Sequence, residues 1–327
     1  MHEWEPDGAG RIGLSVTIRC LKKEVMPELC GILNINKPLG ISSHDVVWRV
    51  RRITGQKKAG HAGTLDPLAT GVLLLCLGQA TRVSEYLLGS DKVYRARIHL
   101  GISTDTYDTE GQVTARAEVN VTREQVQEAL RTFVGTLQQL PPMYSAVKHE
   151  GTPLYKLARR GVETEREARA VEIKAMTLTG WEPPQVEVEV QCSKGTYVRS
   201  LAHELGQRLG CGAHLAALAR TASGAFRLEQ SVTLQELDAA FACGEGPRLL
   251  LPMDAALQAF PAVALDRVAS AHVCQGQAVE LPADPPAELC RAYALDGRLL
   301  ALLRRDAQGL WRPHKVFVGP SDDADHP

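Results

Sequence analysis

Between Gly60 and Gly78 the chain reads GHAGTLDPLATGVLLLCLG, and this stretch holds one carboxylate, Asp66, with no second acid. A lone ionised carboxylate suits a nucleophile or a base, whereas glycoside hydrolysis uses two carboxyl groups. Asp66 precedes Pro67, which disfavours helical backbone and places the acid on a loop. A local alternative is a turn aspartate that bonds its own backbone. Against it stand Gly60, Gly63 and Gly71, which let a backbone approach a ligand, and the apolar run 71–77, which anchors the loop on a buried strand.

A second cluster lies in SKGTYVRS, where Tyr197 and Arg199 have the spacing of one strand face and would project together. Arg199 is suited to pair with Asp66, and an arginine partner keeps a carboxylate ionised at neutral pH. A structural ion pair is the other reading of that spacing. Tyr94 opens a basic strand, KVYRARI, and reads as either core or functional.

The surrounding elements must hold these residues. GILNINKPLGISSHDVVWRVRRIT reads as strand, turn and helix, with Ser42 and Asp45 as a helix start, Val46, Val50 and Ile53 on the apolar face, and Arg49, Arg51 and Arg52 on the polar one. YRARIHLG alternates like a half-buried strand. Residues 121–135 read as a helix that starts with Thr122 and Gln125 and ends at Gly135, and residues 186–210 as a strand running into a helix. Amphipathic strands among helices predict an α+β fold with a mixed or antiparallel sheet. After Pro252 the runs AVEL, RAYAL, LLALLRR and WRPHKVFVG, separated by turn residues, predict a small β-rich domain over 252–320. Residues 1–30 are expected to be an extension, 31–250 the catalytic-sized domain, and SDDADHP a disordered tail.

Length and composition agree with a globular protein: 327 residues with 44% hydrophobic content can fill a core. The apolar run 71–77 falls far short of the roughly 20 residues of a membrane span. The chain begins with acids and no apolar signal core, so a soluble, cytoplasmic protein is expected. Eight cysteines without a CxxC pair read as reduced core thiols, and neither a metal nor another cofactor is implied. The net charge of −1 conceals an uneven distribution, since residues 31–100 hold ten Lys or Arg against four acids. Asp66 therefore sits in the basic part of the chain.

Five ordered stretches, NKPLGISSHDVV, GHAGTLDPLATGVLLLCLGQATR, KVYRARIHLGISTDTYDTEG, PPMYSAVKHEGTPLYKLARRG and CSKGTYVRSLAHELGQRLGCGAHLAALAR, closely resemble the bacterial tRNA pseudouridine synthase B family over residues 31–232. The segment after Pro252 resembles the small RNA-binding PUA domain of bacterial members. The resemblance implies isomerisation of a T-loop uridine of tRNA (position 55 in tRNA numbering) to pseudouridine, without cofactor or obligate protein partner. It puts Asp66 at the catalytic position, as nucleophile on the sugar or as base toward a sugar proton. It implies that His61 fills the space left by the flipped base, that Tyr94 stacks on the uracil, and that Tyr197, Arg199 and Leu218 complete the pocket. Lys37, followed by Pro38, would buttress the catalytic loop, and Arg82 stands where many members have lysine. RNA backbone contacts are expected from Arg49, Arg51, Arg52, Lys57 and Lys58, and from Lys148, Lys156, Arg159 and Arg160. A non-catalytic tRNA-folding factor using the same surfaces is the alternative, and a glycosidase a distant third for want of a second acid.

Overall fold

The computed structural model describes residues 29–145, 147–149, 151–158, 160–162, 164–281 and 285–318. The extension up to residue 28, Arg159 and the tail lie outside them. In chain order the first half contains β1 (Gly31–Lys37), α1 (Ser43–Thr54), β2 (Ala59–Ala62), β3 (Ala69–Leu77), α2 (Ser84–Gly89), β4 (Lys92–Leu100), β5 (Ile102–Thr104), β6 (Val113–Arg116), α3 (Arg123–Arg131) and β7 (Gly135–Gln139). There follow β8 (Lys148–His149), β9 (Thr152–Pro153), α4 (Leu154–Ala158), β10 (Arg169–Glu182), β11 (Gln185–Cys192), α5 (Val198–Arg208), β12 (Ala213–Ser223), β13 (Phe226–Arg227) and α6 (Leu234–Ala242). The C-terminal part adds β14 (Ala262–Leu265), α7 (Arg267–Cys274), β15 (Leu289–Ala294), β16 (Leu299–Arg305) and β17 (Trp311–Val316).

The main sheet runs β1-β3-β12-β4-β11-β10-β7, with β2 also on β3 and β13 on β12. Its named pairs are antiparallel except β3 with β12, so the sheet is mixed and the α+β expectation holds. Strand β3 is buried along nearly its whole length, which is why its sequence is a continuous apolar run instead of an alternation. Leu33, Ile35, Leu73 and Leu75 face a core shared with Val46 and Val50 of α1 and Leu201 and Leu205 of α5. Ile32, Val72 and Leu74 point the other way, into a cluster with Leu87, Leu257, Leu302 and Phe317. Burial of this much aliphatic area is the main stabilising contribution, about 1.5–3 kcal/mol per fully buried side chain.

The capping boxes read from the sequence are present at both helices: Ser42 with Asp45, and Thr122 with Gln125. Helix α3, however, stops at Arg131, and Gly135 opens β7 with φ +113°. In the C-terminal part the AVEL run makes one isolated bridge, Val279 to Trp311, instead of a strand. Helix α7 is an element the strand pattern did not disclose; Asp266 starts it by accepting a hydrogen bond from the Ala269 amide. Among the described residues no helix is long and apolar enough to cross a membrane.

Candidate active site

Asp66 lies on the loop between β2 and β3, and that loop is held at nearly every residue. The Ser43 hydroxyl accepts from the Leu65 amide at 2.8 Å and donates to the Leu65 carbonyl at 2.9 Å. The Gly40 amide and the Lys37 ammonium both donate to the Pro67 carbonyl, at 2.9 and 3.4 Å. Leu65 and Leu68, on either side, are buried in the main core. The side chain of Asp66 makes an ion pair with Arg199 instead of a bond to its own backbone, and is 38% exposed. It is a rigidly presented carboxylate with one open side.

Arg199 Nη2 lies 3.0 Å from Asp66 Oδ2, and Nη1 lies 3.2 Å from Asp108 Oδ2. The same guanidinium donates to the Tyr144 carbonyl at 2.7 Å. The placement of Tyr197 and Arg199 on a common strand is corrected here. Strand β11 stops at Cys192, Gly195 turns with φ +84°, Tyr197 precedes the first residue of α5, and Arg199 is in its first turn. Gln139 fixes that junction, accepting from the Tyr197 amide at 2.7 Å and donating to its carbonyl at 3.1 Å.

Asp108 was not singled out by the sequence, although it sits in the DTYDTEG stretch. It is 2% exposed; its Oδ1 accepts from the Thr106 hydroxyl at 2.5 Å and the Glu110 amide at 3.0 Å. The bond to the amide two residues on is the habit of a surface turn aspartate, so the local pattern disguised a buried one. The second acid also bears on the charge of the first. Burial raises the Asp66 carboxyl above its ordinary value; Arg199 opposes that shift, but Asp108 adds to it. Burial likewise pushes the Lys37 ammonium down to about 8.

Tyr94 is buried on β4, and burial raises its phenol. Burial also raises the Tyr197 phenol. His61, on β2, has a buried Nδ1 without a hydrogen-bond partner among the described residues, and burial lowers its imidazole. Leu218 on β12 pairs in register with Ala69, the residue that opens β3 after the loop. Arg220, unremarked in the sequence, is 1% exposed and donates to the Val72 carbonyl at 2.7 Å and the Gly63 carbonyl at 3.0 Å. It explains Gly71, which the sequence assigned to ligand approach: a Cβ there would lie 2.3 Å from the Arg220 carbonyl oxygen, so the glycine admits a neighbouring strand.

Arg82 is the clearest displacement. It does not join this cluster; it donates to the Val316 carbonyl, lies over the Phe317 ring at 5.6 Å, and accepts from Lys315 at 2.7 Å through its own carbonyl. It belongs to the seam with the C-terminal sheet. Arg49, Arg52, Lys57, Lys58 and Arg160 are exposed. Arg51 is exposed too, but it donates to the Ala59 carbonyl at 2.6 Å. Arg52 lies 4.7 Å over the ring of Trp48, a 53% exposed tryptophan the sequence reading passed over. Lys148 is on β8 and Lys156 on α4.

Residues 51–198 match the model of the TruB family pseudouridylate synthase N-terminal domain, and 199–258 that of the tRNA pseudouridylate synthase B C-terminal domain. The tRNA pseudouridine synthase B of Dehalococcoides mccartyi is 45% identical over 90% of this chain and 99% of its own length. That of Thiobacillus denitrificans is 50% identical over 85% and 92%. Among solved structures, a Cbf5-Nop10-Gar1 complex aligns with TM-score 0.70 at 29% identity, over 90% of this chain and 86% of that one. An H/ACA RNP bound to a substrate RNA containing 2'-deoxyuridine aligns with TM-score 0.69 at 27% identity, over 89% and 86%. With relatives this similar along nearly their whole length, the chain belongs to the tRNA pseudouridine synthase B family.

Proposed function

We propose that this protein is a tRNA pseudouridine synthase that converts the T-loop uridine at position 55 to pseudouridine, with Asp66 as its catalytic group. The observation that carries the reading is the chain Asp66–Arg199–Asp108, with Asp66 on the loop that His61 of β2 precedes and Ala69, the partner of Leu218, follows. Uridine and pseudouridine are isomers, so the reaction consumes nothing and needs no co-substrate. The carbon–nitrogen glycosidic bond breaks, the uracil turns, a carbon–carbon bond forms at the same sugar carbon, and the proton lost from that ring carbon is matched by one gained at the freed ring nitrogen. A stacked uridine must first be extruded, at a cost of a few kcal/mol. In this reading His61 occupies the vacated space and Tyr94 stacks on the extruded ring. Tyr197 and Leu218 bound the pocket. Asp66 then acts on the ribose, as nucleophile or as base. Both roles require the ionised form, and the Arg199 guanidinium favours it.

Lys37 holds the loop through the Pro67 carbonyl. Arg49, Arg52, Lys57 and Lys58 supply the phosphate contacts, and Trp48 beside them offers a ring to an unpaired base. The C-terminal sheet takes the place of a PUA-like RNA-binding domain. The protein acts in the cytoplasm, where tRNA is, without an obligate protein partner. A factor that only binds tRNA gains nothing from a carboxylate presented in this way. The test is to incubate the protein with unmodified tRNA transcript and map pseudouridine by carbodiimide-blocked primer extension. A stop at position 55 is expected, and uridine left unchanged there would overturn the reading.

A further inference from the structure

A fully buried arginine normally has a carboxylate beside it, because an uncompensated charge in a core is costly. Arg220 has none among the described residues. It is 1% exposed, and its guanidinium is bonded to neutral oxygens, Nε to the Val72 carbonyl at 2.7 Å and Nη2 to the Gly63 carbonyl at 3.0 Å. Its place in the sheet explains what it can reach. Within β12 it pairs in register with Tyr94 of β4 on one side and with Gly71 of β3 on the other. Directly opposed residues of adjacent strands project from the same face, so the Arg220 and Tyr94 side chains are neighbours on that face. Gly63 lies in the stretch between His61 and Asp66. One side chain therefore bonds to the loop before Asp66 and to the start of β3, and lies beside the tyrosine of the next strand.

We propose that Arg220 is a positioning residue for the isomerisation, fixing Tyr94 against the Asp66 loop and placing an uncompensated positive charge behind the uracil site. This rests on the function proposed above. When the glycosidic bond breaks, its electron pair leaves with the uracil. Negative charge then grows on a ring that, in that reading, lies against Tyr94. A fixed cation in a dry site stabilises such developing charge more than it stabilises the neutral ground state. Removing it should act on the chemical step and spare RNA affinity, because Arg220 is buried and touches no solvent-facing surface.

The test uses the full chain, unmodified tRNA transcript, and the variants Arg220→Lys, Tyr94→Phe and their combination. Single-turnover rate, tRNA Kd and thermal unfolding are measured for each. Lysine keeps the charge but lacks the planar fork that serves several acceptors, so Arg220→Lys should slow the single-turnover step by about 30-fold or more while Kd stays within about threefold. Because the arginine acts partly through the tyrosine beside it, the double variant should be slowed much less than the product of the two single effects. A folded Arg220→Lys enzyme with a near wild-type rate overturns the proposal, as does a loss confined to Kd. If Arg220→Lys does not fold, Arg220→Gln decides, since it keeps donors for the two carbonyls but not the charge: a folded variant with unchanged single-turnover rate overturns the proposal. A wild-type protein that makes no pseudouridine removes the function itself and this inference with it.

Discussion

Asp66 shares its arginine. Because Arg199 faces Asp108 as well, its charge is divided, and the net effect of burial and the second acid is an upward shift at Asp66. Asp66→Asn keeps the shape but loses the charge, so tRNA binding should stay within about tenfold, or about 1.4 kcal/mol, while turnover falls below detection. Filter binding and primer extension on the same samples separate the two. The acid limb of the kcat/KM profile should lie above the ordinary carboxylate range. Asp108→Asn removes a charge that raises Asp66, so it should move that limb to lower pH; an unmoved limb would detach Asp108 from the site. The linkage has a defined sign. A carboxyl raised in the folded state contributes stability below its unfolded value and loses it as pH rises through the folded one. Asp66→Asn should accordingly be at least as stable as wild type at pH 7 in thermal unfolding, with the difference closing in acid.

At the scale of elements, helix α1 and the loop after it present Arg52, Lys57 and Lys58 to solvent, while Arg51 reaches back to the Ala59 carbonyl. Alanine at Arg52, Lys57 or Lys58 should each flatten the salt dependence of tRNA binding by roughly 0.7 to 0.9 in the log–log slope. Arg51→Ala should instead lower the unfolding temperature with a smaller change of slope, because it ties α1 to β2. The local parts of this arrangement were legible in the sequence: the Ser42 cap, the apolar run of β3, the proline that puts Asp66 on a loop. What escaped notice depends on distant pairing. Arg199 meets Asp108 across 91 positions of chain, and Arg220 meets Val72 and Gly63 across 148 and 157. Neither residue differs in its neighbourhood from a surface turn acid or a strand arginine. The strand assigned to Tyr197 and Arg199 failed for a related reason. A spacing of two fits a strand face, but Gly195 had already turned the chain toward α5.

At the scale of the molecule, the C-terminal sheet is fixed to the rest along a seam. Lys315 pairs with Glu85, Arg82 reaches the Val316 carbonyl, and Tyr86 meets Phe260 edge-on with ring centroids 5.5 Å apart. Beneath these contacts Leu257, Leu302 and Phe317 share one apolar cluster with Ile32, Val72 and Leu74 of the main sheet. Calorimetry should therefore show one cooperative transition, not two. Arg82→Ala should lower its midpoint modestly, by the loss of about 0.5–1.5 kcal/mol for a hydrogen bond, and leave turnover unchanged. A tenfold loss of turnover at unaltered stability would return Arg82 to the reaction.

The shared cluster makes Ile32 and Leu74 neighbours of Phe317 in packing, though nearly the whole chain separates them in sequence. Those positions cannot vary independently. A larger residue at one requires a smaller one at another, since a packed interior tolerates neither voids nor crowding. Exchanging everything after Pro252 for the corresponding part of a relative would import a mismatched interior along with any new RNA surface. The C-terminal sheet thus packs with the main sheet as one interior, and its outer surface is best altered one residue at a time.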